Sequence, residues 1–277
     1  MPELPERSLA EVAADALGRI RERRPLIHHI TNYVVMTDTA NVTLHVGASP
    51  VMAHAIDEVR EMVRHAGALV LNIGTLDRAW IESMLAAGEE ANERGVPIVL
   101  DPVGAGATSL RTEATRRILE AIRVDVVRGN AAELSSIAGL DAEIRGVDSV
   151  SADSPETAAR LVAARIGGAA VVSGAVDHVA DGTRVAEVRN GHALMGAITG
   201  SGCMATSMVA AFRAVEPDPF LAAAAGMIAF GIAGEIAAER SAGPGTFRQN
   251  LMDAVYALDG STIRARASAS MREVRPR

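Results

Sequence analysis

The chain has 277 residues, of which 49% are hydrophobic and 3% aromatic, and it carries a formal net charge of −7 at pH 7. This length suffices for a single domain over residues 1–277 with a core of aliphatic side chains. An acidic chain lacks the positive surface that attracts nucleic acids and anionic membranes, so neither is expected as a partner. All 27 basic residues are arginine, which excludes a Schiff-base lysine and the phosphate-binding loop that depends on lysine.

The cysteine count and the N-terminal residues indicate a cytoplasmic protein. Cys203 is the only cysteine, so no disulfide can form within the chain, which fits a reducing compartment. Residues 1–25 carry scattered charges and no apolar stretch, which is unlike a signal peptide. The longest apolar stretch, residues 220–234, is shorter than a membrane span and is predicted to be a core helix.

Short apolar runs alternate along the chain with segments of helical period. The predicted strands are 68–74, 96–101, 124–127 and 169–174. The predicted helices are 77–94, 112–122, 131–138, 203–215, 219–239 and 247–258. Strands that are apolar throughout and alternate with helices predict an α/β fold, with a mostly parallel central sheet flanked by helices on both faces.

Two further segments complete this prediction. Residues 178–188 carry a central Asp-Gly pair, which predicts a hairpin at the edge of the sheet. The tail over residues 261–277 carries five arginines and few apolar residues, and we expect it to be poorly ordered. The ordered core is therefore predicted to span about residues 25–258.

Polar residues crowd the ends of the predicted strands, where open α/β sheets bind their ligands. Asn72 and Asp101 end two of these strands, Arg128 and Asn130 follow the third, and Ser173 ends the fourth. Such side chains bind metals or hydrogen-bond phosphates. For Arg128 an alternative stays open, namely a surface arginine in an ion pair.

A glycine-rich turn precedes the helix predicted from residue 203. Gly200 and Gly202 bring free backbone N–H groups to the positive end of the helix, an arrangement that binds an anion without lysine. The alternative is a tight turn whose glycines only permit positive φ. Cys203 lies in the first helical turn, where it is either a small buried apolar side chain or a thiol of lowered pKa that serves as a base or nucleophile.

Two carboxylates suit a magnesium ion, which takes one or two carboxylates together with phosphate oxygens and water. Asp101 ends a strand, and Glu133 lies three residues after Asn130. The same spacing also fits a capping box, with Glu133 as the partner of Asn130. No histidine has a metal-ligand spacing with cysteine or carboxylates, so a structural role is expected for His28, His29, His45, His54, His65, His178 and His192.

An ordered set of motifs over about residues 25–258 resembles the hydroxyethylthiazole kinase family. Each motif alone is a weak signal, whereas seven in the family's order are a strong one. The motifs are IHHITNYVVM (27–36), GASPVMAHA (47–55), LNIGTL (71–76), LDPVGAGAT (100–108), RGNAAE (128–133), GSGCM (200–204) and GPG (243–245).

This resemblance implies a ribokinase-like fold and a homotrimer with active sites at its subunit interfaces. It implies ATP-dependent, Mg²⁺-dependent phosphorylation of 4-methyl-5-(2-hydroxyethyl)thiazole, a step of thiamine salvage. By position, it implies substrate contacts at Met52, Gly200 and Asn32, ATP contacts at Arg128, Ser173, Asn130 and Gly202, and metal ligands at Asp101 and Glu133. Cys203 stands where related sugar kinases place an aspartate base.

Three positions depart from the family pattern, since His29, Ser173 and Ser201 stand where Asn, Thr and Thr are usual. None of these changes removes a required functional group. Two alternatives remain, a related kinase for another small alcohol such as hydroxymethylpyrimidine, and a non-catalytic nucleotide-binding relative. Cys203 argues against the first, and the intact Asp101 and Glu133 argue against the second.

Overall fold

The computed structural model describes residues 8–140 and 154–275. The helices are α1 (Leu9–Arg23), α2 (Met36–Val46), α3 (Val59–Val63), α4 (Arg78–Arg94), α5 (Ser109–Ala121), α6 (Ala131–Ala138), α7 (Pro155–Ile166), α8 (Ser201–Arg213), α9 (Pro219–Glu239), α10 (Pro244–Ala257) and α11 (Gly260–Arg266). The strands are β1 (Leu26–Ile30), β2 (Ser49–Val51), β3 (Ala68–Asn72), β4 (Ile98–Asp101), β5 (Val126–Asn130), β6 (Ala169–Ser173), β7 (Asp177–Ala180), β8 (Arg184–Val188) and β9 (Ala269–Glu273). A short 3₁₀ helix spans Ala193–Ala197.

These strands form one sheet in the order β2-β1-β3-β4-β5-β6-β7-β8-β9. The six strands from β2 to β6 pair in parallel, and β7, β8 and β9 are added antiparallel to their neighbours. The predicted α/β fold with a mostly parallel sheet is confirmed. Because the carboxyl ends of β1 to β6 meet at one edge, the polar residues that end these strands are brought together there.

Helices cover both faces of the sheet, as strands without polar alternation require. Strand β3 shows the arrangement, since all five of its residues are buried. Val70 packs into the core on the face covered by α1, α8 and α9. Leu69 and Leu71 point the opposite way, into the core formed with α4 and α5. Each apolar strand therefore serves two hydrophobic cores at once.

Helix α9 passes through the first of these cores. Among the described residues it is the single helix long and apolar enough to cross a membrane, with a mean hydropathy of 1.8 over its apolar window. That window is 83% buried inside the fold, which confirms the predicted core helix. Its glycines permit close packing: a Cβ on Gly226 would lie 2.8 Å from the Cα of Val209 on α8.

Within the described residues 261–275, the C-terminal tail forms most of α11 and the strand β9, which contradicts the prediction that this segment is poorly ordered. Strand β9 pairs antiparallel with β8 over five residues, and Arg272 forms an ion pair with Glu156 at 2.6 Å. Backbone hydrogen bonds and this ion pair hold a strand whose side chains are too polar to be recognised from hydrophobicity. The β7–β8 hairpin is confirmed, but β9, rather than the hairpin, forms the edge.

Candidate active site

All residues singled out at the strand ends lie along one edge of the sheet, facing the N-terminus of α8. Asn32 follows β1 and Met52 follows β2, while Asn72 and Asp101 end the neighbouring strands β3 and β4. The Cα atoms of Asn72 and Asp101 are register partners. Arg128 and Asn130 lie on β5, and Asn130 and Ser173 are register partners in the same way. The parallel sheet therefore brings together residues up to 141 positions apart, from Asn32 to Ser173.

Asn72 is the centre of a buried hydrogen-bond network at this edge. Its Nδ2 donates to Asp101 Oδ2 at 2.9 Å and to Cys203 Sγ at 3.2 Å. Its Oδ1 accepts from Asn32 Nδ2 at 2.8 Å. Asn72 is 1% exposed, so these contacts hold its amide in one orientation. This side chain connects the thiol with the carboxylate.

Helix α8 begins directly after Gly200, which is left-handed with a φ of 88°, and Cys203 lies in the first turn of this helix. Burial and, to a smaller extent, the negative charge of Asp101 together raise the pKa of the Cys203 thiol to about 12. The amides of Asn72 and Asn32 oppose this shift with hydrogen bonds. The expectation that the helix N-terminus lowers this pKa is therefore wrong in direction, because burial beside a carboxylate outweighs the helix dipole.

A protonated thiol at neutral pH predicts a small effect of its removal. The phosphoryl transfer that the sequence motifs imply depends mainly on positioning, so for that reaction Cys203→Ala should lower kcat by about tenfold or less. Cys203→Ser should remain closer to the wild type, since its hydroxyl can still accept from Asn72. Alkylation of this sole cysteine should be slow at pH 7 and accelerate only well above it. A loss of about 10²-fold or more in the alanine variant, at unchanged melting temperature, would instead indicate a general base.

The two candidate metal ligands are both held by hydrogen bonds. Asp101 Oδ2 accepts hydrogen bonds from Asn72 Nδ2 and from Oγ1 of Thr206, a residue of α8, both at 2.9 Å. Glu133 Oε1 accepts from the backbone N–H of Gly104 and Oε2 from that of Asn130, both at 2.8 Å. The capping box of Asn130 and Glu133 at the start of α6 is thus confirmed. The cap leaves each Glu133 oxygen with lone pairs for a cation.

The electrostatics of this pair favour a bound cation. Burial raises the pKa of Asp101 to about 6; the Arg128 guanidinium opposes the shift, and the charge of Glu133 adds to it. Asp101 is 1% and Glu133 8% exposed. Two buried carboxylates of like charge offer hard oxygen ligands, which are the ligands that Mg²⁺ prefers. The carboxylates of Asp101 and Glu133 therefore fit the chemistry of a magnesium site.

Arg128 is a buried arginine directed at the N-terminus of α8. Its Nη2 donates to Ser173 Oγ at 2.6 Å, and its Nε is buried without a hydrogen-bond partner. None of the ion pairs within the described residues includes Arg128, so the alternative of a paired surface arginine is wrong. A Cβ on Gly202 would lie 2.6 Å from Arg128 Nη1. The guanidinium thus packs directly against the glycine turn, an arrangement that suits an anionic ligand.

A cleft of about 540 Å³ opens beside this arginine. Arg128, Ser173 and Gly202 line its polar end, and Met195 and Phe230 lie among its apolar lining residues. This volume and this mixture of surfaces suit a small organic ligand with an anionic end. Asn130 is exposed and its side chain caps α6, so the structure gives it a local role besides the predicted contact with ATP.

Asp177 places a carboxylate in the lining of this cleft. It accepts from the Gly174 backbone N–H at 3.0 Å and is 7% exposed. Burial raises the pKa of Asp177 to about 6, while that hydrogen bond and the charge of Arg128 oppose the shift. The charge on Arg128 is therefore balanced at a distance by Asp101 and Asp177 rather than by a direct partner.

An aromatic cluster connects the segments that carry Met52 and Asn32. Met52 is half-buried after β2, two strands from β3. His54 stacks on Trp80 of α4 with ring centroids 4.3 Å apart, and Tyr33 contacts the same indole edge-on at 4.7 Å. Trp80 is 4% exposed. The indole therefore joins the segment that carries Met52 to the segment that carries Asn32.

The neighbouring histidines of β1 are structural, as expected. His28 Nε2 forms a hydrogen bond of 2.7 Å with the carbonyl of Ala53. His29 Nε2 lies 3.3 Å from Thr43 Oγ1, and burial lowers its pKa to about 3. His29 is 1% exposed inside the fold.

The sequence of the chain matches one protein family over most of its length. The profile of the hydroxyethylthiazole kinase family matches residues 17–261. A hydroxyethylthiazole kinase of Roseiflexus sp. (strain RS-1) is 57% identical over 245 residues, which are 88% of this chain and 91% of that protein. The solved structure of a hydroxyethylthiazole kinase from Pyrococcus horikoshii OT3 shares 46% identity at a TM-score of 0.86, covering 95% of this chain and 98% of that one.

The chain belongs to the hydroxyethylthiazole kinase family.

The fold of this hydroxyethylthiazole kinase family member is also found in more distant proteins. A solved ribokinase-like superfamily protein from Enterococcus faecalis V583 superimposes with a TM-score of 0.59 at 12% identity, over 91% of this chain and 90% of that one. At that identity the similarity shows the fold alone. The ribokinase-like fold implied by the motifs is confirmed.

Sequence reasoning assigned no role to three residues of this hydroxyethylthiazole kinase site. The sequence places Asn72 at a strand end but does not indicate its hydrogen-bond partners, and it does not identify Thr206 or Asp177 as candidate site residues. The spacing of Cys203 and Thr206 carries a signal, because residues three apart lie on the same face of a helix. For Asp177 no such signal exists, since its contact with the cleft depends on the return of β7 along β6.

A second cluster of possible ligands joins β7, β8 and α7. Glu156, His178 and Glu187 bring ligand atoms within 4.8 Å of one another, through cross-strand pairing of His178 with Glu187. The sequence spacing of His178 did not predict this cluster. Arg272 and Arg189 already neutralise the two glutamates, so we interpret the cluster as an ion-pair network that anchors β9.

Proposed function

We propose that this family member transfers the γ-phosphoryl group of ATP to the primary alcohol of 4-methyl-5-(2-hydroxyethyl)thiazole and so supplies thiazole phosphate for thiamine salvage. The observation that carries the proposal is the junction at the start of α8. On one side of it the buried Arg128 faces the cleft with an unpartnered Nε. On the other side Cys203 is fixed by Asn72 and Asn32. A phosphoryl donor and an alcohol acceptor would meet between them.

The nucleotide side of the proposed site relies on arginine and backbone amides. Arg128 and Ser173 would bind phosphate oxygens, and the N–H groups that follow Gly200 and Gly202 would form the anion hole that replaces a lysine. The apolar part of the cleft, with Met195 and Phe230, suits the base of the nucleotide. Asn130 would contribute near the phosphates from the end of β5.

The magnesium side relies on Asp101 and Glu133. When bound, Mg²⁺ would neutralise charge on the phosphate oxygens of ATP. The hydrogen bonds from Thr206 and Gly104 hold the two carboxylates in place for this role. Asn72 links Asp101 to the acceptor side, so that ligand and acceptor positions are fixed relative to each other.

The acceptor side would hold the alcohol in line with the phosphoryl group. Met52 and Gly200 would contact the thiazole, a flat ring of low polarity, and Asn32 would complete the pocket. The Cys203 thiol keeps its proton at neutral pH and lines the acceptor position. A loose transition state for phosphoryl transfer needs little help from a base, so orientation by these groups is the main contribution.

A coupled assay of ADP release tests the substrate. We expect Mg²⁺-dependent turnover with the thiazole alcohol and none above background with ribose or hydroxymethylpyrimidine, because the candidate pocket residue Met52 is apolar. Addition of EDTA should abolish turnover, and restored Mg²⁺ should recover it. Comparable activity on ribose or hydroxymethylpyrimidine would reject the assignment, and ATP binding without any turnover would favour the non-catalytic alternative.

We propose a homotrimer with sites shared between subunits, acting in the cytoplasm. Tyr33 and Val34, directly after Asn32, are 61% and 63% exposed, and exposed apolar groups beside a site suit an interface. In the same assay, activity per chain should fall on dilution as the assembly dissociates. Full activity at a monomeric mass by light scattering would exclude shared sites.

A further inference from the structure

We propose that Arg111 is a positioning residue for this reaction, and that its guanidinium fixes the spacing between the loop after β3 and the loop after β4. The inference rests on the proposed function. Arg111 Nη1 donates to the carbonyl oxygens of Ile73 at 3.0 Å and Val103 at 2.6 Å. Its Nη2 donates to the carbonyl oxygen of Gly74 at 2.5 Å. Three carbonyls from two loops thus converge on one side chain.

The choice of partners distinguishes this arginine from its neighbours on α5. Arg116 and Arg117 of the same helix are paired with glutamates near the surface. In the described parts of the chain, by contrast, Arg111 takes part in none of the ion pairs and gives its donors to backbone oxygens. A planar guanidinium can serve several acceptors at once with fixed geometry, which a lysine ammonium cannot do. The arrangement is that of a clamp between loops.

Each of the clamped loops supplies one half of the site. On the β3 side the Gly74 N–H donates to Asn72 Oδ1 at 3.0 Å and so helps to orient the amide that contacts Cys203. On the β4 side the Gly104 N–H donates to Glu133 Oε1 at 2.8 Å. Arg111 therefore fixes the distance between the loop that orients Asn72, on the proposed acceptor side, and the loop that holds Glu133, on the proposed metal side.

The β4 loop is shaped to pack against this arginine. Gly104 has a φ of 74°, and a Cβ there would lie 2.9 Å from Arg111 Cδ. The N-terminus of α5 fixes the other end of the clamp, because the backbone N–H of Arg111 donates to Thr108 Oγ1. Loss of the guanidinium would leave three carbonyls without their donor and would free the two loops to move apart. An in-line reaction is sensitive to such a shift, since misplacement by about 1 Å can cost about 10²-fold.

The test compares Arg111→Ala with Arg116→Ala, a matched control on the same helix that removes a 49% exposed side chain. We expect the Arg111 variant to lose about 10–10²-fold in kcat, with KM for ATP nearly unchanged because Arg128 and Ser173 are untouched. Millimolar guanidinium chloride should restore part of the lost kcat in Arg111→Ala and have no such effect on the wild type or the control. A merely structural contact would lower the melting temperature without this rescue.

Two outcomes would overturn the proposal: wild-type kcat in Arg111→Ala, or a loss that follows the melting temperature and does not respond to guanidinium. If the alanine variant fails to fold, Arg111→Lys tests the proposal instead, because lysine keeps the positive charge but lacks the planar guanidinium that serves several acceptors at once. Wild-type kcat in that variant would reject the clamp. The kcat of each variant is compared with that of the wild type on whichever alcohol the wild type phosphorylates. A failure of the thiazole assignment is therefore distinguishable from a failure of the clamp.

Discussion

Asp101→Asn is expected to lower kcat by about 10²–10³-fold, comparable to the loss of one group that stabilises charge in a transition state. The substitution removes the charge of a proposed metal ligand while keeping an oxygen that can accept from Asn72 and Thr206, the two partners of the native carboxylate. The apparent affinity for Mg²⁺ should fall with kcat, because a neutral amide is a weaker ligand for a hard cation.

The same variant should be more stable than the wild type at neutral pH. Burial raises the pKa of Asp101 from 3.8 to about 6, so ionisation costs more in the folded state than in the unfolded chain. This cost is absent below about pH 4, grows as the pH rises through 6, and then reaches a plateau of up to about 3 kcal/mol. In metal-free buffer, the stabilisation by Asp101→Asn should therefore be near zero at pH 4 and largest above pH 6.

Steady-state kinetics and chemical denaturation at several pH values measure both effects. Asp253→Asn is a suitable control, because this aspartate is exposed on α10. The difference in unfolding free energy between Asp253→Asn and the wild type should change little with pH. Unchanged kcat in Asp101→Asn would remove this carboxylate from the metal site, whereas a destabilised variant above pH 6 would show that its charge is well compensated in the fold.

Gly202→Ala should lower kcat/KM for ATP by about 10²-fold while leaving the fold intact. The new Cβ would lie 2.6 Å from Arg128 Nη1, and the guanidinium would have to leave its contact with Ser173. Stability should not suffer, because the end of a long side chain can move and alanine is favoured over glycine in a helix by up to about 1 kcal/mol.

Nucleotide binding by calorimetry and thermal melting separate these two effects. Gly18→Ala provides the control, since a Cβ at this position on α1 meets no atom within 4 Å. The control should keep wild-type affinity for ATP. If Gly202→Ala also binds ATP normally, the glycine serves only the backbone of the turn, and Arg128 is not the phosphate ligand that we propose.

Hydrophobic patterns predicted the strands that lie in the middle of the sheet and missed those at its margins. β3, β4 and β6 are apolar runs buried on both faces and are recognisable as such. β1 contains His28 and His29, whose burial depends on partners from distant segments. β2 is three residues long and contains a proline. Such strands are specified by tertiary pairing, so that local sequence carries little signal for them.

The candidate site was located by the strand-end rule, but its internal contacts were not. That rule placed Asp101, Arg128 and Ser173 at one edge because parallel strands align their carboxyl ends. It could not show that the Asn72 amide bridges Asp101 and Cys203, since this depends on side-chain orientation across three elements. The direction of the thiol pKa shift was missed for the same reason: a helix N-terminus is visible in a sequence, whereas burial beside a carboxylate is not.

The aromatic cluster of Tyr33, His54 and Trp80 has an optical consequence, because Trp80 is the single tryptophan of the chain. Trp80 is enclosed by the rings of His54 and Tyr33, which belong to the two segments that carry Met52 and Asn32. Any change in how these segments lie against the indole alters the polarity of its surroundings and its contact with the His54 imidazole, which can quench its emission. The intrinsic emission of the unlabelled protein should therefore report movements of the two segments that we propose for the acceptor side, with no second indole in the sequence to obscure it.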